Sequence, residues 1–186
     1  MTTPRLHRAI YTGSFDPITL GHLDVLQRVR GMFDEIVVAI GRNPDKQPLF
    51  TMEERTEMTE QSIREIIDPE SKGIRVETYD GLTVDFARRV EACAMIRGIR
   101  NVTDLAGESQ LAITNRKIAG IETVFIVSGE EYAYTSSSLI RQMAGLGATI
   151  EQLSTFVPPV VLDAIRRKQA DPIHPLGAVR VEPSSD

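Results

Sequence analysis

Short apolar, β-branched runs recur along the chain and alternate with segments of helical period. Ala9-Ile10-Tyr11, Ile36-Val37-Val38-Ala39-Ile40, Ala94-Met95-Ile96 and Val124-Phe125-Ile126-Val127, with an alternating stretch over 74–79, predict five strands. Between the first two, Val25, Leu26, Val29, Met32 and Phe33 fall on one helical face. Thr51-Met52-Glu53-Glu54 has the form of a capping box and opens a second helix toward Ile67, which Asp68-Pro69 ends. Thr83 opens a third over Val84, Ala87 and Val90, and Asp104 a fourth through Leu111 to Ile118. Ser136-Ser137-Ser138 opens a fifth through Leu139, Ile140 and Met143, and a last helix over 160–168 follows Pro158-Pro159. Strand and helix alternating in this way predict an α/β fold, a doubly wound parallel five-stranded sheet with helices on both faces and right-handed crossovers.

Length and composition narrow the class. At 186 residues the chain suits one domain, read here as 1–168, followed over 169–186 by a flexible tail that carries Pro172, Pro175 and Pro183. There is no internal repeat. No apolar run approaches the ~20 residues that span a bilayer, and the N-terminus lacks the apolar region of a signal peptide, so the expected location is cytoplasmic. Cys93 is the only cysteine and there are three histidines, which excludes an intrachain disulfide framework and a Cys/His zinc cluster. A net charge of −5 argues against nucleic-acid polymers and anionic membranes as partners, while leaving room for a local cationic site that takes a small anion.

In a Rossmann-like open sheet, ligands bind beyond the carboxyl ends of the strands. The segments there are Gly13-Ser14-Phe15-Asp16-Pro17, Gly41-Arg42-Asn43-Pro44-Asp45-Lys46, Gly81-Leu82-Thr83, Arg97-Gly98-Ile99-Arg100, and Ser128-Gly129 through Tyr134-Thr135-Ser136-Ser137-Ser138. Each carries a glycine, and most carry a cation or hydroxyl. Turn chemistry and exposure alone account for glycine and polarity in such loops. Two of them, however, lead into helix N-termini suited to phosphate: Gly21-His22 after Thr19, and the serine run.

Thr12-Gly13-Ser14-Phe15-Asp16-Pro17-Ile18-Thr19-Leu20-Gly21-His22 resembles the first signature of the nucleotidyltransferase superfamily, its (H/T)xGH element with Thr first. Thr135-Ser136-Ser137-Ser138-Leu139-Ile140-Arg141 resembles the second, an SSSxxR-type phosphate loop. Asn43-Pro44-Asp45-Lys46-Gln47-Pro48-Leu49-Phe50 with Glu53-Glu54-Arg55, and Arg97-Gly98-Ile99-Arg100, are similar to segments of bacterial phosphopantetheine adenylyltransferases. The resemblance spans about 8–168. It implies that ATP and 4′-phosphopantetheine give dephospho-coenzyme A and pyrophosphate, with Mg²⁺ accompanying ATP, and a homohexamer. It assigns catalysis to His22, Lys46 and Arg97, and phosphopantetheine contacts to Ser14, Lys46, Thr83 and Arg97. ATP contacts fall on Ser14, Phe15, His22, Gly98, Ile99, Arg100, Glu108, Tyr132, Ala133, Tyr134, Thr135, Ser136, Ser137 and Ser138. Metal-holding residues are not identified, and coenzyme A is a candidate feedback ligand.

The residues suit that chemistry. A phosphate monoester has a second pKa of about 6, so it is largely dianionic at neutral pH and needs no general base. The reaction asks for placement and neutralisation of two polyanions. Lys46 as a point charge and Arg97 as a fork suit the attacking phosphate. His22 would donate to an α-phosphate oxygen, and Arg100 with the serine-capped helix would hold the β and γ phosphates. Other residues have plainer readings. Asp16 braces its loop, Cys93 packs at the end of the third helix, His7 and His174 are inert, and Glu53, Glu54, Glu57 and Glu60 form a solvated face. Leu105-Ala106-Gly107 departs from the aromatics that relatives carry before the position of Glu108. Two rivals stand beside the main reading: another nucleotidyltransferase such as a nicotinate-mononucleotide adenylyltransferase, and a noncatalytic nucleotide or coenzyme A sensor.

Overall fold

A computed structural model describes residues 6–42 and 47–171, together with His174 and Leu176. Five parallel strands, β1 (Arg8–Gly13), β2 (Glu35–Gly41), β3 (Ile74–Tyr79), β4 (Ala94–Ile99) and β5 (Glu122–Val127), form one sheet in the order β3-β2-β1-β4-β5. The helices are α1 (Leu20–Val29), α2 (Met52–Ser62), α3 (Thr83–Arg89), α4 (Val102–Ala119), α5 (Ser137–Gly145), α6 (Ile150–Leu153) and α7 (Pro159–Ala170). A π-helical turn, Ile63–Ile67, prolongs α2.

The continuous apolar runs are explained by burial of both faces. Because successive strand side chains point to opposite sides, Ala9, Tyr11, Ile36, Val38, Ile40 and Ile96 face one core with residues of α1, α5 and α7. Ile10, Val37, Ala39 and Met95 face a second core with Val84, Phe86 and Ala87 from α3 and Val90 at its C-terminal cap. The capping box at Thr51 forms as expected: its hydroxyl accepts from the Glu54 N–H at 3.2 Å, and Glu54 accepts from the Thr51 N–H at 2.8 Å.

Several boundaries differ from the sequence reading. The first helix ends at Val29, before Gly31, so Met32 is exposed and Phe33 packs on the core from a turn. Thr83 is the first residue inside α3, with Leu82 at the cap. The fourth helix starts at Val102, because the Asn101 side chain accepts the Asp104 N–H at 2.9 Å and caps it. β4 runs on to Ile99, which puts Arg97 and Gly98 on the strand itself. Cys93 is exposed between α3 and β4, not packed at the end of the helix. Residues 169 and 170, expected in the tail, belong to α7, and Leu176 is buried against the core. Pro172, Pro175 and residues 177–186 lie outside the described residues.

Candidate active site

Chain order moves outward from β1 through β2 to β3, then returns to β4 on the other side of β1 and continues to β5. Ligand crevices in open sheets form at such a reversal. A cleft of about 300 Å³ opens there, walled by the carboxyl ends of β1 and β4, the first turn of α1 and the start of α5.

His22 enters the cleft from the first turn of α1 in a fixed tautomer. The Thr19 N–H donates to its Nδ1 at 3.1 Å, so Nδ1 is an acceptor and the ring proton sits on Nε2. The Thr19 hydroxyl lies 3.0 Å from the same nitrogen and accepts from the His22 N–H at 3.3 Å. Burial, then the Arg100 and Arg97 charges, lower its pKa to about 4. The ring is therefore a neutral donor through Nε2 at physiological pH.

Two guanidinium groups of the cleft, those of Arg97 and Arg100, are held by carboxylates of α4. Arg97 donates through Nε to Glu108 at 2.7 Å and through its terminal nitrogen to the other Glu108 oxygen, while its second arm reaches the Thr12 carbonyl at 2.8 Å. Burial opposes the Arg97 charge, but Glu108 outweighs it and holds the guanidinium above its usual range. Arg100 donates to Asp104 at 2.8 and 3.1 Å and to the Thr135 carbonyl at 2.9 Å. These bonds hold the Asp104 carboxyl below the usual range. Asp104 and Glu108 lie four residues apart, on one face of α4.

The far wall is the α5 N-terminus. Ser136 caps it, accepting the Leu139 N–H at 3.1 Å, and the first-turn N–H groups have no partner inside the helix. Cross-ties set its position: the Ser137 hydroxyl donates to the Pro17 carbonyl at 2.8 Å, and Arg141 to the Asp16 carbonyl at 2.6 Å. Asp24 of α1 accepts the Gly129 N–H at 2.9 Å and anchors the preceding loop. Asp16 accepts the Leu49 and Phe50 N–H groups at 3.0 and 2.9 Å, so it braces its loop.

A family model described as cytidylyltransferase-like matches residues 10–143. A phosphopantetheine adenylyltransferase of Rhodopirellula baltica is 46% identical over 165 residues, 88% of this chain and 89% of the relative. Another, from Heliobacterium modesticaldum, is 40% identical over 173 residues, 92% of this chain and 98% of the relative. The chain belongs to the phosphopantetheine adenylyltransferase family. Its fold is shared with a Plasmodium falciparum nicotinic acid mononucleotide adenylyltransferase solved with NaAD, at a TM-score of 0.65 and 21% identity, covering 89% of this chain and 97% of that one. It is shared too with a Francisella tularensis bifunctional NMN adenylyltransferase/ADP ribose pyrophosphatase, at 0.66 and 12%, covering 94% of this chain and 52% of that one.

In this phosphopantetheine adenylyltransferase chain the cleft gathers Ser14, His22, Arg97, Gly98, Arg100, Glu108, Tyr132, Thr135, Ser136, Ser137 and Ser138 of the residues the sequence singles out. Others lie elsewhere. Phe15 is a core residue at φ +43°, its ring edge-on to Tyr11 and His22, so it supports the site from beneath. Ile99 is buried, and Tyr134 is 87% exposed. Neither they nor Ala133 line the cleft. Thr83 pairs with the Tyr79 hydroxyl at 2.8 Å, away from the cleft wall. Glu108, expected at the nucleotide, has its carboxylate committed to Arg97. Lys46 lies outside the described residues. The lining also holds Tyr11, Thr12, Thr19, Asp104 and Arg141, to which the sequence reading gave no individual site role. Asp104 was findable from its helical spacing to Glu108, and Arg141 from its place one turn after the serines.

Proposed function

We propose that this chain transfers the adenylyl group of ATP to 4′-phosphopantetheine, releasing pyrophosphate and dephospho-coenzyme A. The observation that carries the reading is the neutral Nε2–H donor of His22 set in one cleft with Arg97, Arg100, Arg141 and the open N-terminus of α5. An oxygen of the acceptor phosphate attacks the α-phosphorus of ATP; that P–O bond forms as the bond from the α-phosphorus to the bridging oxygen breaks, and the electron pair leaves with pyrophosphate. The nucleophile is already deprotonated, so no side chain takes a proton. His22 donates to an α-phosphate oxygen as charge grows there, Arg97 holds the attacking phosphate, and Arg100, Arg141 and the first turn of α5 hold the leaving group. Lys46 is assigned to the attacking phosphate by the family motif.

Mg²⁺ would accompany ATP as its counter-ion and would supply neutralisation of polyphosphate charge. Among the described residues no group of three or more His, Cys, Asp or Glu side chains converges on a metal position, and Asp104 and Glu108 are engaged by arginines. A cytoplasmic location, where ATP is available, belongs to the same proposal, as does coenzyme A as a feedback ligand. So does assembly into a homohexamer: α4 has no fully buried side chain, and Val102, Leu111, Ile113 and Ile118 on it are exposed, beside edge strand β5 with Val127 70% exposed.

Nicotinate-mononucleotide adenylyltransferases share the fold at 12–21% identity, whereas the relatives at 40–46% identity over most of the chain carry the phosphopantetheine name. Incubation with ATP, Mg²⁺ and 4′-phosphopantetheine tests the proposal: dephospho-coenzyme A is the expected product. Binding of both substrates without product would instead make the protein a sensor.

A further inference from the structure

Glu108 closes one whole edge of the Arg97 guanidinium. Its two oxygens accept from Nε, at 2.7 Å, and from Nη2, while Nη1 is tied on the other side to the Thr12 carbonyl at 2.8 Å and the Thr12 hydroxyl at 3.2 Å. A guanidinium carries five N–H donors in a rigid fork. These bonds take four of them; the fifth, on Nη2 at the head of the fork, has no partner among the described residues. Both side chains line the cleft, with Glu108 the more covered of the two at 19% exposed against 30% for Arg97. One turn earlier on α4, Asp104 grips the same Nε–Nη2 edge of Arg100. A carboxylate offers only acceptors, and so do the oxygens of an ionised phosphate, so Glu108 is unsuited to holding a nucleotide by its phosphates.

We propose that Glu108 is a positioning residue for the acceptor phosphate, acting through Arg97 and not by contact with the nucleotide. This rests on the adenylyl-transfer reading, in which Arg97 holds the attacking phosphate. With Glu108 on one edge and Thr12 on Nη1, the fork is fixed in one orientation and its head is left for an anion. A long side chain at a strand end otherwise samples several rotamers, and misplacing a reacting group by about 1 Å costs about 10²-fold in rate. Charge alone predicts the opposite effect. A carboxylate beside an incoming dianion repels it, so if Glu108 only neutralised Arg97, its removal would strengthen acceptor binding.

Glu108→Gln in the full chain tests it, because the shape is kept while the amide nitrogen cannot accept from the fork. With ATP saturating, kcat/KM for 4′-phosphopantetheine is expected to fall about ten- to a hundredfold, and the KM for ATP to stay within about twofold of the parent. Glu108→Asp, which keeps the charge on a shorter arm, should recover part of the loss. In an Arg97→Lys background Glu108→Gln should cost less than about twofold, since an ammonium has no edge for a carboxylate to set. An unchanged or raised kcat/KM for the acceptor would overturn the proposal. So would a loss confined to the KM for ATP, which would return Glu108 to the nucleotide. Equal losses in both backgrounds, or a lowered melting point with unchanged kinetics, would overturn it by showing a merely structural role. An unsubstituted protein that fails to turn over phosphopantetheine would overturn the reaction itself, a result separate from an active enzyme indifferent to Glu108→Gln.

Discussion

His22 shows how a residue type acquires a role from its surroundings. In isolation its imidazole would titrate near 6.5; here burial and the charges of Arg100 and Arg97 bring it to about 4, and the Thr19 N–H leaves the proton on Nε2. Nitrogen-detected NMR of the unliganded protein should find a neutral Nε2–H tautomer down to about pH 5; a midpoint near 6.5 or an Nδ1–H signal would contradict the geometry. The linkage has a definite sign. Between 6.5 and about 4 the unfolded chain protonates this histidine while the folded one does not, so His22 makes stability fall as pH falls through that window and adds no further loss below it. Replacing His22 by Asn should flatten that part of a stability–pH profile. In kinetics, His22→Ala should depress kcat by about 10²–10³ with little change in the KM for ATP, because a donor aimed at developing charge acts mainly in the transition state. A raised KM with kcat unchanged would mean that the ring only binds.

At the scale of elements, the α5 N-terminus combines capping with anion binding. Ser136→Ala removes the acceptor for the Leu139 N–H and should cost about 1 kcal/mol in thermal or denaturant unfolding; no loss would show the cap to be dispensable. The strands and most helices were legible from the sequence because runs such as Ile36 to Ile40 have β-branched side chains on both sides, and because Thr51 with Glu54 announces its own helix start. The end of the first helix was not, since Met32 and Phe33 continue the helical period past the point where Gly31 leaves the backbone without a helix-favouring residue. The site was legible in outline, through His22, Arg97, Arg100 and the serines at strand ends and helix starts. Its pairings were not. Arg97 meets Glu108 across eleven positions only because β4 and α4 present both to one wall, and Phe15 turns inward through a backbone at φ +43° that its residue type does not foreshadow.

For the whole molecule, the net charge of −5 describes the outside. Glu53 and Glu57 are exposed on α2, Glu54 is paired with Lys168 at 2.9 Å, and Arg97, Arg100 and Arg141 converge on the cleft. An acidic chain can thus hold two polyanions, because local field and preorganised donors decide binding at short range. The other large-scale feature is the set of exposed apolar side chains on α4, which further copies would cover under the proposed assembly. Leu111→Asp should then shift sedimentation velocity from the assembled species toward monomer, and an unchanged profile would remove α4 from the interface. The central claim concerns the acceptor, and pyrophosphate release from Mg-ATP with each candidate tests it most directly. Rapid release with 4′-phosphopantetheine, abolished when the acceptor is omitted and absent with nicotinate mononucleotide, is the expected result. Release with nicotinate mononucleotide and none with 4′-phosphopantetheine would contradict it.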